Sequence, residues 1–461
     1  MAGIGFELRK LSRRDDLLGV VEGYAYSAIA STGPWLFTIV ALSGVVMFGS
    51  RFVSAADMAE FRLIIIYNFM FSLIISAPMA MVSMRHLADC IYIKNVSDAP
   101  SMLLTGILFT FGIEIPIVLG FYGYYVQIPA AIRLVAIANF FVVTAIWLTC
   151  VFLTALKDYR GLSLTFIAGM GTALGSAAVA APFWGVTGIL TGFTGGLTLL
   201  LCLLVARVLA EYPYRTLRVF SFTKLFRTYW ELALSGLIYN SAIWIDKFVM
   251  WASPQRSVLQ NGMVSYPDYD SAMFLAYLTI VPAMASFVLN VETDFFEKYV
   301  AYYRDIQHHA NFNRIEQNHQ SITESILRGA RNFVVLQGTI SLVSILLAPY
   351  LFSALNISFL QLAMFRIGVL GAFFHVMFLV MMILLSYFDM RRMTLAIQTF
   401  FLLLNGIGTF AAMKFGFQLY GYGYFLAAIV TFAITFFAMA RVLNRLPYQT
   451  FVLSNSSLTG C

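Results

Sequence analysis

Twelve apolar stretches run along the chain, at about 17–49, 61–84, 102–126, 134–156, 162–182, 186–210, 229–252, 271–292, 332–352, 362–388, 393–413 and 420–440. Each is long enough to cross a hydrocarbon core of about 30 Å, which takes about 20 residues of helix. The pattern therefore predicts twelve membrane-spanning helices, spans 1 to 12, in an all-α polytopic membrane protein. The polar gaps alternate in charge. With the N-terminus inside, the inner gaps hold Arg9, Lys10, Arg13 and Arg14; Arg85 and Lys94; Lys157 and Arg160; Arg207, Arg215, Arg218, Lys224 and Arg227; Lys298, Arg304, Arg314, Arg328 and Arg331; Arg391 and Arg392; and Arg441 and Arg445. These are 22 of the 29 Lys and Arg residues, against five outside: Arg51, Arg62, Arg133, Arg256 and Lys414. Such a bias supports the span count and places both termini in the cytosol.

The gaps also set the organisation. Residues 1–16 form a basic lead with apolar Phe6, Leu8 and Leu11, the pattern of a short interfacial helix. Spans 1–6 (17–210) and spans 7–12 (229–445) flank a basic, aromatic cytosolic connector at 211–228, and 446–461 form a cytosolic tail. A second long inner loop, 293–331, is the most polar stretch, and Phe295–Val300 reads as helix leaving the membrane along its surface. The outer loops are short, the longest being about 253–270. A weak echo links the halves: Trp184-Gly185-Val186-Thr187-Gly188 opens span 6, and Tyr420-Gly421-Tyr422-Gly423-Tyr424 opens span 12.

Composition agrees with a bilayer protein. The 461 residues are 60% hydrophobic and 11% charged, where soluble domains carry about 25% charged residues. A net charge of +7 would suggest nucleic acid in a soluble protein, but the inside bias accounts for it, so no nucleic-acid partner is expected. The first apolar run is too long for the core of a cleaved signal peptide, which points to an uncleaved first span. Cys90, Cys150, Cys202 and Cys461 show no metal-ligand spacing, and their inner placement makes disulfides unexpected. There is no Walker A motif, no paired Cys/His spacing and no large outer loop of clustered acids, so neither a cofactor, a metal nor an enzymatic activity is expected.

Ionisable residues inside a bilayer cost about 2.5–3.5 kcal/mol on insertion scales and tend to face protein or water. Glu114 is the deepest, mid-span 3. It reads as a proton-binding site or as a carboxyl that locks helices together, protonated or paired with arginine. Asp246 and Lys247 in span 7 are adjacent, about 100° apart on a helix, so each is expected to need its own partner or water. They line a water-filled cavity or reach the outer headgroups. Glu22, Glu231 and Glu292, near the inner interface, read as capping or ion-pairing groups. His375 reads as a hydrogen-bonded core residue, and Arg366 as reaching the outer surface. Pro34 in span 1 bends that helix and is a hinge candidate. Gly188, Gly192 and Gly196 of span 6, and Gly171 and Gly175 of span 5, have the spacing that lets helix backbones approach.

One segment is more specific. Gly3-Ile4-Gly5-Phe6-Glu7-Leu8-Arg9, Tyr24-Ala25-Tyr26-Ser27-Ala28-Ile29 and Gly33-Pro34-Trp35 resemble the PelG family, inner-membrane transporters of Pel exopolysaccharide export. With the six-plus-six split and Trp244-Ile245-Asp246-Lys247, the resemblance covers nearly the whole chain. That family belongs to the polysaccharide-transporter branch of the MOP superfamily, which also holds MATE multidrug/toxin extruders and lipid II flippases. The resemblance implies two six-helix lobes related by a pseudo-two-fold axis, with a cavity between them lined by spans 1, 2, 7 and 8. It implies export of an N-acetylgalactosamine-rich polysaccharide from cytosol to periplasm. The partners it implies are a cytosolic glycosyltransferase, a TPR-containing membrane protein and a cyclic-di-GMP-binding membrane protein. Relatives that flip lipid-linked sugars hold pyrophosphate with basic residues. Here the deep charges are few and of mixed sign, which fits a mostly neutral glycan. Substrate-path candidates are Glu22, Tyr26, Arg85, Glu114, Tyr239, Asp246 and Lys247; partner-docking candidates are Arg215, Arg218, Lys224 and Arg227. The alternatives are an ion-coupled small-molecule antiporter, a flippase for lipid-linked oligosaccharide, and a scaffold that holds a synthase at the membrane.

Overall fold

The structure, a computed structural model, describes residues 33, 35–155, 159–212, 220–354, 357–448 and 450–451, without side chains at 159, 160, 289, 292 and 293. Nearly all of it is helix. The elements are α1 (Trp35–Gly49), α2 (Ala55–Ile93), α3 (Ala99–Val118), α4 (Ala130–Ala155), α5 (Tyr159–Glu211), α6 (Thr223–Thr228) and α7 (Trp230–Met250). After a two-stranded hairpin, β1 (Ser257–Val258) with β2 (Val264–Ser265), follow α8 (Pro267–Leu278), α9 (Val281–Asn290), α10 (Phe296–Gln307), α11 (Phe312–Ala354), α12 (Leu360–Tyr387), α13 (Arg391–Phe415), α14 (Tyr422–Asn444) and α15 (Leu446–Tyr448). These residues fall into two compact units, Gly33–Pro267 and a second that begins at Asp268. The lead at 1–16 and most of the tail lie outside the described residues.

Every apolar stretch of the sequence is helical where it is described. Nine helices among the described residues are long and apolar enough to cross a membrane. The difference from twelve has three local causes. Span 1 is described only from residue 33, so α1 is short. Spans 5 and 6 run together in α5, which turns sharply at Gly185 (φ 56°, ψ −136°). Span 7, α7, is 21 residues long, but Asn240, Asp246 and Lys247 lower its hydropathy. Span 8 is one of the nine, although it is divided between α8 and α9 beside Pro282, whose ring leaves no backbone donor there.

Gly185 and Gly421 (φ 92°) both stand in the left-handed region, immediately before the last span of their halves. A side chain there would be strained, which gives the sequence echo at 184–188 and 420–424 a physical basis.

Within the first unit the arms of α5 pack through small residues. A Cβ on Gly196 would lie 2.2 Å from the Ala173 Cα, and one on Gly192 2.5 Å from the Ala177 nitrogen. Ser176 Oγ donates to the Gly192 carbonyl at 2.7 Å. The expectation for span 5 is corrected here. A Cβ on Gly171 or Gly175 would meet nothing within 4 Å, because the contact face of the first arm carries Gly169, Ala173 and Ala177. The four-residue glycine spacing was right for span 6 and one helix face away for span 5. In the second unit, Gly371 receives the Tyr424 ring and Gly423 lies against Thr409.

The polar 293–331 stretch is helix in the second unit. From α9 the chain passes through a π-helical turn, Val291–Phe295, into α10, and α11 returns. The two helices are strapped together. Arg314 Nε and Nη2 donate to the Asp305 carboxylate at 2.6 and 3.3 Å, and Asn318 adds a third bond at 2.9 Å. Ser325 Oγ donates to Asp294 at 2.5 Å, and Lys298 pairs with the same carboxylate at 2.8 Å.

Gly196→Leu forces apart two backbones already in contact, an overpacking that costs about 1–3 kcal/mol or more. The expected outcome is a clear fall in the thermal unfolding midpoint in detergent. Gly171→Leu, which faces open space, is expected to leave the midpoint nearly unchanged.

Candidate functional site

In the interior of the first unit, polar side chains from α2, α3, α4 and α5 meet in one network. Asn68 and Ser72 stand one turn apart on α2 and so share a face. Asn68 Nδ2 donates to the Ala136 carbonyl and to Asn139 Oδ1, each at 2.9 Å, while its Oδ1 accepts from the Tyr122 hydroxyl at 2.6 Å. Asn139 Nδ2 passes the chain on to Thr194 Oγ1 at 3.1 Å. The Trp147 indole donates to Ser72 Oγ at 3.2 Å. Asn68, Asn139 and Tyr122 are almost wholly buried. A buried amide left unpaired would cost about 1–3 kcal/mol, so this network fixes how α2, α4, α5 and the end of α3 fit together. The sequence reading searched the spans for ionisable groups and missed it. Isolated asparagines in spans 2 and 4 were the available signal.

Glu114 faces the same interior from α3. It is fully buried. Thr144 Oγ1 of α4 donates to its Oε1 at 2.8 Å, and Oε2 has no hydrogen-bond partner among the described residues. No arginine pairs with it there. Of the two sequence readings, the arginine-paired lock is therefore not what the structure holds. Leaving a polar oxygen unpaired at such a depth is costly, and Thr144 relieves that cost for one of the two oxygens.

Asp246 and Lys247 lie on α7, and here an expectation is overturned. The Lys247 ammonium sits 3.0 Å from both Asp246 carboxylate oxygens, and also donates to the Ile243 carbonyl at 3.1 Å. The residues do neutralise each other, although they point about 100° apart at Cα. The four-carbon lysine stem curls round the helix to reach its neighbour. Lys247 also lies 5.7 Å from the Trp244 ring. Both residues are buried, so neither extends to open surface. A dry ion pair repays its desolvation only with such close geometry.

The other candidates are apart from these. Arg85, at the end of α2 that the charge pattern puts inside, lies 3.4 Å from Asp89 with its side chain 40% exposed. Tyr229 holds the other Asp89 oxygen at 2.7 Å. Tyr239 is half-buried on α7. No hydrogen bond or ion pair among the described residues joins Glu114 to Arg85, Asp246 or Lys247. In the connector, Phe220, Phe222 and Phe226 cluster with one another and with Phe109 of α3, and the Phe220 amide donates to Thr105 Oγ1 at 3.2 Å. Lys224 and Arg227 are exposed. Glu22, Tyr26, Pro34, Arg215 and Arg218 lie outside the described residues, as does the side chain of Glu292. In the second unit, His375 is a core residue. Its Nδ1 lies 3.0 Å from the Tyr424 hydroxyl and its ring stacks on Phe378 at 4.7 Å. Among the described residues, no cluster of His, Cys, Asp or Glu has the form of a metal site.

Solved structures share this fold. The chain is 15% identical to a MATE transporter in complex with MaL6, with a TM-score of 0.63 over 92% of this chain and 97% of that one. For a multidrug resistance MATE family transporter in an outward-facing conformation the values are 14%, 0.64, 92% and 96%. For a MOP superfamily transporter from Pyrococcus furiosus, described by the reverse polarity of its binding pocket, they are 14%, 0.63, 91% and 96%. No curated protein matches the chain. Long apolar helices on a MATE-type fold describe a multi-pass membrane protein. The particular family is given by the sequence. Residues 1–451 match the family model of PelG, described as an exopolysaccharide exporter (EPS-E), and the chain belongs to that family.

Asp246→Asn removes the carboxylate that lies 3.0 Å from the buried Lys247 ammonium, a loss of up to about 3–5 kcal/mol. The expected outcome is a strongly lowered unfolding midpoint. The double variant Asp246→Asn/Lys247→Met is expected to recover most of it, since both charges go together. Thermal unfolding of the two variants in detergent measures the difference.

Proposed function

We propose that the chain exports a mostly neutral, N-acetylgalactosamine-rich exopolysaccharide across the bacterial inner membrane, from cytosol to periplasm. The single observation that carries this is the family match over residues 1–451. The MATE-type fold, which belongs to transporters, supports it. So does the chemistry of the interior. The described deep groups are mainly amides and hydroxyls, with the Asp246–Lys247 pair, the Glu114 carboxyl and the His375 imidazole. Nothing in that set resembles the basic cluster that a lipid-linked pyrophosphate needs, whereas amides and hydroxyls suit the hydroxyl groups of a glycan.

Glu114 is the proposed coupling group. Its Oε2 is unpartnered and its Oε1 is held by Thr144, so gain and loss of a proton would alter the packing of α3 on α4. Export would then draw on the proton gradient. On the face that the charge bias places in the cytosol, Lys224 and Arg227, with Arg215 and Arg218 of the same connector, are proposed to dock the cytosolic glycosyltransferase that makes the polymer. A TPR-containing membrane protein and a cyclic-di-GMP-binding membrane protein would complete the assembly. An ion-coupled small-molecule antiporter is the second reading, favoured by the same buried carboxyl on the same fold.

Polymer secretion by cells carrying Glu114→Gln tests the coupling. The expected outcome is a fall of tenfold or more, about 1.4 kcal/mol in the barrier, with loss of the pH dependence. Wild-type secretion with unchanged pH dependence removes Glu114 from the mechanism.

A further inference from the structure

The first unit carries a row of four aromatic rings that runs from its interior to its surface. The rings of Trp251 and Tyr67 lie 5.0 Å apart at 10°, those of Tyr67 and Phe121 5.4 Å apart at 17°, and those of Phe121 and Tyr125 5.8 Å apart at 23°. The row is a four-ring, near-parallel stack. It starts in the interior, where Tyr67 and Trp251 are buried, and ends at Tyr125, which is 56% exposed. Phe121 and Tyr125 stand on the π-helical turn Leu119–Tyr125 that closes α3. π-helical turns of this kind are frequent at functional sites.

Two further contacts hold the row rigid. The Tyr67 hydroxyl donates to the Val264 carbonyl of β2 at 2.7 Å. The Gln127 amide, two residues past Tyr125, donates to the Asn261 carbonyl at 3.0 Å. The terminal ring is thus backed by three others and anchored to the β1–β2 hairpin. The surface around it is open. A Cβ on Gly120 or Gly123 would meet nothing within 4 Å.

We propose that Tyr125 is a glycan-stacking platform, on which a pyranose ring of the exported chain rests at the face that carries the β1–β2 hairpin. The charge bias assigns that face to the outside, so the platform receives the polymer as it emerges. The inference rests on the reading of the cargo as a glycan. A pyranose presents a face of C–H bonds, which matches the negative face of an aromatic ring. The fit of such a face is sequence-tolerant along a repeating polymer, because every sugar unit offers it. A held ring loses little entropy on binding, which is the benefit of backing it with a stack. An interfacial belt tyrosine, the competing role for Tyr125, needs only a headgroup-level position and no stacked support.

The test is a titration of the full-length protein in lipid nanodiscs with a short fluorescent oligosaccharide of N-acetylgalactosamine. Tyr125→Ala is expected to weaken binding about three- to tenfold, and Tyr125→Phe, which keeps the ring face, by less than about twofold. Tyr124→Ala, which removes a 92% exposed neighbour outside the stack, is expected to bind as wild type. Unfolding midpoints are expected to be equal throughout, since both side chains are on the surface. If Tyr125→Ala binds as tightly as wild type, the platform is wrong and the glycan reading stands. Equal losses in Tyr124→Ala and Tyr125→Ala also overturn it, since they assign both residues to bilayer anchoring. If the wild type binds no oligosaccharide, the cargo reading itself fails and the platform falls with it.

Discussion

Pairing inside a medium without water is the constraint on which this protein depends. Each helix satisfies its own backbone, so the chain can be apolar over most of its length. What remains are the side chains that are not apolar, and several of these are gathered into hydrogen-bonded sets. Asn68, Asn139, Tyr122 and Thr194 hydrogen-bond in sequence across four segments. Asp246 and Lys247 cancel on one helix. His375 is held by Tyr424. Glu114 is half satisfied among the described residues: Thr144 holds one oxygen, and the other has no hydrogen-bond partner.

Without a hydrophobic drive between helices in lipid, contact must come from close backbone approach and from hydrogen bonds. The arms of α5 use the first, through Gly192 and Gly196, and α2, α4 and α5 use the second. The charged straps between α10 and α11 do the same work outside the apolar body, where Asp305 and Asp294 each gather several donors. The proposed functional groups, the Glu114 carboxyl and the ring stack that ends at Tyr125, stand beside these contacts.

Much of the fold was legible in the sequence because hydropathy and charge bias are properties of whole segments. Twelve stretches and their alternating gaps survive small errors in any boundary. Where the sequence misled, the cause was side-chain reach or helix face. Asp246 and Lys247 diverge at Cα, but a lysine stem is long enough to return. Gly171 and Gly175 have the right spacing on the wrong face, which only the partner arm reveals. The amide network escaped because a lone asparagine carries no charge to betray it, and its partners are up to 71 residues away. Glu114 was found by depth alone, while its bond to Thr144 required the fold. For Glu22, Tyr26 and Pro34, the sequence remains the source of the expectation.

The proposed movement of a glycan on this MATE-type fold is driven by protons. Reconstitution of the purified chain into sealed vesicles with a labelled N-acetylgalactosamine oligosaccharide tests it most directly. The account predicts uptake when a proton gradient is imposed and little uptake without one. Uptake of the same extent in the presence and absence of the gradient, or none in either, would contradict it.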